Sequence, residues 1–145
     1  MAHETRYLVR MEAIPNVAAA LDAALADLKP NPADAAAAVS RINAVLVAAR
    51  TTLPAENWQR LIADVRRHPI CARLHEDPLT RRSFAKPRGY QGDADLLDII
   101  YNRDWRDICA GPITPLGEAI FHHTIECQAP AAVRIRNSAS KPPPS

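Results

Sequence analysis

The fold of this chain is indicated most clearly by residues 58–65, which read WQRLIADV. Trp58, Leu61, Ile62 and Val65 stand at positions i, i+3, i+4 and i+7, so they share one face of an α-helix. A helix with such a face gains most of its stability where another element covers the apolar side. These residues therefore predict a packed helix near the middle of the chain.

Similar apolar stripes precede this helix. One stops at Lys29-Pro30 and consists of Val17, Leu21, Leu25 and Leu28. The next follows Asn31, a favoured N-cap, and Pro32, a favoured first helical residue. It consists of Val39, Ile42, Leu46 and Ala49. A short helix ahead of both is predicted by the shared face of Tyr7, Leu8, Met11 and Ile14.

Prolines divide the second half of the chain into shorter helices. Asp77 is the predicted N-cap and Pro78 the first residue of a helix that reaches Phe84. A loop follows at residues 86–93, and Thr114-Pro115 begins a later helix that Pro130 restarts toward residue 136. The predicted inward faces of the two longer helices are Leu96, Leu97, Ile100 and Tyr101, then Leu116, Ile120, Phe121 and Thr124.

The composition agrees with an all-α fold. Apolar residues make up 48% and charged residues 23% of the 145 residues, and the chain has many alanines but only four glycines. We predict a compact bundle of six to eight helices, several of them short, that forms one domain over residues 1–137. The proline-rich residues 138–145 are predicted to be a disordered tail.

Charge and cysteine content limit the expected partners and compartment. The net charge of +2 is too small to suggest nucleic acid, and no run of 18 apolar residues suggests a membrane span. The cysteines, Cys71, Cys109 and Cys127, are odd in number and lack a C-x-x-C pair. With no signal peptide in view, they indicate reduced thiols and a cytoplasmic protein.

The segment at 86–93, KPRGYQGD, contains the candidate ligand-binding residues. The glycines let the backbone turn sharply, and the N-terminus of the following helix attracts anions. Arg88 could hold a carboxylate or phosphate in a bidentate manner. The candidate ligand-binding residues are Lys86, Arg88, Gly89, Tyr90 and Gly92. A purely structural interpretation stays open, in which Asp93 caps its helix, Arg88 pairs with an acid and Tyr90 packs.

Acid–base chemistry is a further interpretation. The candidate catalytic residues are Tyr90, Asp93, His122 and His123. His122 and Glu126 are four residues apart, as are His123 and Cys127, so each pair would share a helical face. Because zinc needs three or four ligands and the sequence places no third, no metal site is predicted. For each single histidine, a structural role remains the alternative.

Two motifs in tandem resemble a known family. DPLTRR at 77–82 and PRGYQGDA at 87–94, followed by LDIIY at 97–101, are similar to the N-terminal helical region of bacterial class I S-adenosylmethionine-dependent methyltransferases. That group includes enzymes that make 3-hydroxypalmitic acid methyl ester. The later TPLG at 114–117 and AAVRIR at 131–136 also fit, so the resemblance covers roughly residues 68–137. In such enzymes this region would be expected to cover the substrate cleft.

The resemblance does not extend to the cofactor-binding domain of these methyltransferases. No strand followed by G-x-G occurs in the sequence, so the usual adenosylmethionine framework is missing. The resemblance therefore implies a stand-alone helical module that binds a small anionic ligand or a partner. That partner would be a methyltransferase-type chain or a second copy in a homodimer. No cofactor is expected, and S-adenosylmethionine would enter only through a partner chain.

Two other functions stay open. The first is a small cofactor-independent enzyme that performs a cyclisation, an isomerisation or a hydrolysis in the retained pocket, with Arg88 positioning the substrate. The second is a truncated remnant without activity of its own. Turnover in the absence of adenosylmethionine would distinguish the enzyme from the binding module.

Overall fold

The computed structural model describes residues 17–85, 94–109 and 111–139. Within these ranges it contains eight helices and no strand, which confirms the all-α prediction and the predicted number of helices. The predicted helix over Tyr7–Ile14 lies outside the described residues. The helices are α1 (described from 17 to 27), α2 (Pro32–Thr52), α3 (Ala55–Arg67), α4 (Ile70–Leu74), α5 (Pro78–Ala85), α6 (Ala94–Asn102), α7 (Pro115–Thr124) and α8 (Gln128–Ala139).

Three helix starts fall where the prolines predict them, whereas α8 begins at Gln128, two residues before Pro130. Helices α2, α5 and α7 each begin at a proline, because the first helical residue needs no intrahelical N–H donor. Thr114 caps α7, and its side-chain oxygen accepts a 3.0 Å hydrogen bond from the Gly117 N–H. At the other end of the chain, α8 includes residues 138 and 139, which the sequence assigned to the tail. Residues 140–145 lie outside the described residues.

The chain divides into two compact units. The first contains the described residues 17–29 and 33–73, and the second contains residues 30–32 and the described residues from 74 onward. The prediction of a single domain over residues 1–137 stays a prediction.

Polar contacts join the helices of the first unit. Arg41 on α2 donates to Asp27 of α1 over 2.8 Å. His68, directly after α3, lies 2.7 Å from the Asp22 carboxylate through Nε2 and accepts the Ile70 N–H at Nδ1 over 3.1 Å. The imidazole therefore connects α1 to the start of α4.

The core of the second unit is aliphatic and aromatic. Trp105 and Phe121 meet edge to face, with ring centroids 4.5 Å apart. Helix α5 packs against α6 and α7, and α6 packs against α8. The buried cluster consists of Leu79, Leu96, Ile99, Ile100, Trp105, Phe121 and Ile125.

The predicted inward face of α6 is partly wrong. Tyr101 is 39% exposed, whereas Ile99, which the stripe left out, is fully buried. Five of the six residues from 96 to 101 are apolar, so periodicity alone does not fix the rotation of this helix about its axis. In α3, by contrast, Leu61 is buried and Trp58 is half-buried, as the stripe predicts.

Candidate functional site

The predicted ligand-binding segment lies outside the described residues. This applies to Lys86, Arg88, Gly89, Tyr90, Gly92 and Asp93. Of the candidate catalytic residues, the structure places His122 and His123, both on α7. The structure therefore describes the two helices on either side of this segment in the sequence and the polar groups on and near those helices.

An ion pair joins the helices that flank residues 86–93. Arg82 on α5 donates through an Nη atom to the Asp95 carboxylate on α6 over 2.8 Å. The side chains are 18% and 34% exposed, so the contact is less screened by solvent than a surface pair. This ion pair fixes the end of α5 relative to the start of α6. It also assigns a partner to Arg82, the last residue of the DPLTRR motif.

An aromatic contact lies near the end of α5. The His75 and Phe84 rings are tilted against each other, with their centroids 4.7 Å apart. Phe84 is 60% exposed although it lies two residues before the predicted ligand-binding segment. Phe84 is therefore a large apolar side chain at the surface of α5.

Asp77 is the most deeply buried polar group of the described residues. Its side chain has no solvent exposure and accepts four hydrogen bonds. Two come from the backbone N–H groups of Leu79 and Thr80, at 3.0 and 3.3 Å, which confirms the predicted N-cap. The other two come from the hydroxyls of Thr80, at 2.5 Å, and Thr124, at 2.8 Å. Asp77 therefore connects the start of α5 to the end of α7.

Burial raises the pKa of the Asp77 carboxyl above its ordinary value, and the four hydrogen bonds oppose that shift. Neither oxygen faces solvent, so the carboxyl has no surface on which to meet a substrate. Its function in the described structure is to hold α5 and α7 together. The local sequence Asp-Pro-Leu-Thr predicts the cap, but it carries no signal for Thr124, which lies 47 residues further on.

His123 and Cys127 are in contact, although they do not share a helix as predicted, because Cys127 lies beyond the end of α7. The His123 Nε2 and Cys127 Sγ atoms are 3.6 Å apart, and both side chains are half-buried. Burial and the neighbouring negative charge of Asp77 raise the pKa of the Cys127 thiol. A thiol with a raised pKa stays protonated near neutral pH and is a poor nucleophile.

His122 lies on a different side of α7 and is 57% exposed. Its Nε2 is 3.8 Å from the Glu118 carboxylate, one helical turn earlier. Glu126 does not share a helix with His122, because α7 ends at residue 124. The Glu126 carboxylate instead pairs with Arg103 at 2.9 Å and with Arg134 at 3.1 Å. The two candidate histidines thus belong to separate polar contacts.

Other site chemistry is limited in the part of the chain that the structure describes. No group of three or more metal-ligating side chains occurs there. The three cysteines are free and half-buried. Within the same ranges, no helix is both long and apolar enough to cross a membrane.

Burial and hydrogen bonding thus identify a structural centre at Asp77, and the Arg82–Asp95 pair connects the two helices that precede and follow the predicted ligand-binding segment. Comparison of the chain with protein-family models, with curated proteins and with solved structures gave no match.

Proposed function

We propose that this chain is a helical binding module that takes a small anionic ligand or a catalytic partner chain at residues 86–93. The observation that supports this is the Arg82–Asp95 ion pair, which fixes the two helix ends that bracket those residues. A binding segment anchored at both ends loses less conformational entropy when it takes a ligand than a free one does. The resemblance to the N-terminal cover of S-adenosylmethionine-dependent methyltransferases also supports this proposal.

In this proposal Arg88 binds a carboxylate or phosphate through paired N–H donors, and Lys86 adds a second positive charge. Tyr90 supplies an aromatic face and a hydroxyl, while Gly89 and Gly92 allow the backbone N–H groups to approach the ligand. Phe84, which lies two residues before this segment and has an exposed ring, contacts an apolar part of the same ligand. The preferred ligand is therefore an anion with an apolar body.

S-adenosylmethionine enters the proposal only through a partner chain. The module would cover the substrate side of a methyltransferase-type partner, or of a second copy of itself. Light scattering after size-exclusion chromatography, and co-elution with a candidate methyltransferase chain, test this half of the proposal. A monomer that co-elutes with none of the candidates would contradict it.

The ligand half is tested by isothermal titration with octanoate, inorganic phosphate and S-adenosylhomocysteine as separate probes. We expect octanoate to bind the wild-type protein, and Arg88→Ala to weaken that binding at least about tenfold, the effect of losing one charge-assisted contact of about 1.4 kcal/mol. Arg60→Ala is the matched control. It removes the same charge from an exposed residue of α3, which pairs with Glu56, and should leave binding unchanged.

The outcomes separate the alternatives. Absence of heat with every anion contradicts a ligand-binding role for residues 86–93. Equal loss in the Arg88 and Arg60 variants means that binding depends on net charge rather than on this segment. One-to-one binding of S-adenosylhomocysteine by the isolated chain contradicts the proposal that the nucleotide cofactor requires a partner.

A further inference from the structure

No further inference is drawn: the strongest candidate, the half-open apolar cavity of about 110 Å³ between α1 and α3 that Val17, Leu21, Leu61 and Val65 line, carries nothing because nothing in the structure shows what covers it.

Discussion

At the scale of single residues, protonation of Asp77 makes the stability of the fold depend on pH. Burial raises its pKa in the folded protein above the ordinary value of 3.8. The folded state then binds this proton more tightly than the unfolded chain does. The stability that this group contributes is fully present below pH 3.8 and is lost as the pH rises through the folded-state pKa.

Asp77→Asn tests this linkage, because asparagine keeps the capping oxygen but does not titrate. We expect the wild-type protein to gain stability relative to the variant as the pH falls from 7 toward 4. Urea unfolding at several pH values measures the difference in unfolding free energy. A difference that stays constant over this range would contradict the raised pKa.

Asp104→Asn is the matched control because it predicts the opposite slope. The Arg106 backbone N–H donates to the Asp104 carboxylate over 3.0 Å, and this hydrogen bond lowers the pKa of Asp104. A group whose pKa is lowered by folding stabilises the folded protein at pH values above its pKa in the unfolded chain. This stabilisation is lost as the pH falls. The wild-type protein should therefore lose stability relative to this variant as the pH falls.

For Gly117 we predict the opposite of the usual effect of replacing a helical glycine with alanine. Replacing a glycine inside a helix with alanine normally stabilises the protein. Here an added Cβ would lie 2.1 Å from the Glu76 carbonyl oxygen and 2.7 Å from the carbonyl carbon, both of which are backbone atoms. We expect Gly117→Ala to destabilise the protein by about 1–3 kcal/mol in thermal or urea unfolding. A more stable variant would show that α7 does not approach Glu76 so closely.

At the scale of helices, the Arg82–Asp95 pair adds a polar contact to the apolar packing of α5 against α6. A double-mutant cycle with Arg82→Ala and Asp95→Ala isolates the pair from the other contacts of each residue. We expect a coupling free energy of about 1 kcal/mol in urea unfolding, because both side chains are largely shielded from water. A coupling near zero would remove the main support for an anchored segment at residues 86–93.

The Arg60–Glu56 pair gives the reference for that cycle. It spans 2.7 Å on α3 at i, i+4 spacing, and its side chains are 73% and 77% exposed. Such a pair is worth about 0.3–0.5 kcal/mol and weakens with added salt. The Arg82–Asp95 coupling should exceed it and should respond less to salt.

Helices were predictable where one face is plainly apolar. In α7, Leu116, Ile120 and Phe121 are all buried, as their spacing predicts. In α6 the apolar residues surround much of the helix, so periodicity predicts neither which side faces the core nor the burial of Ile99. Contacts between helices far apart in sequence, such as Asp77 with Thr124, carry no local signal at all.

At the scale of the whole molecule, the two tryptophans report on different units. Trp105 is buried in the second unit, and Trp58 lies half-buried in the first. In a Trp58→Phe variant, fluorescence follows the second unit alone, while far-UV circular dichroism follows the helices of both. If residues 1–137 form one domain, as the sequence predicts, the two signals should share one urea midpoint.

The reciprocal Trp105→Phe variant provides the control, since its fluorescence follows the first unit. Separate midpoints for fluorescence and circular dichroism in either variant would mean that the units unfold independently and that the chain holds two domains.

The candidate binding residues were predicted from composition and glycine spacing, but their chemistry depends on tertiary surroundings that no local pattern encodes.

The two hydrogen bonds of His68 specify one tautomer of its neutral ring. The Ile70 amide must donate, so Nδ1 has to carry a lone pair, and the proton of the neutral ring resides on Nε2 beside Asp22. The ring therefore uses both nitrogens, one toward α1 and the other toward the first residue of α4. A side chain with a single polar atom at this position would keep only one of the two connections.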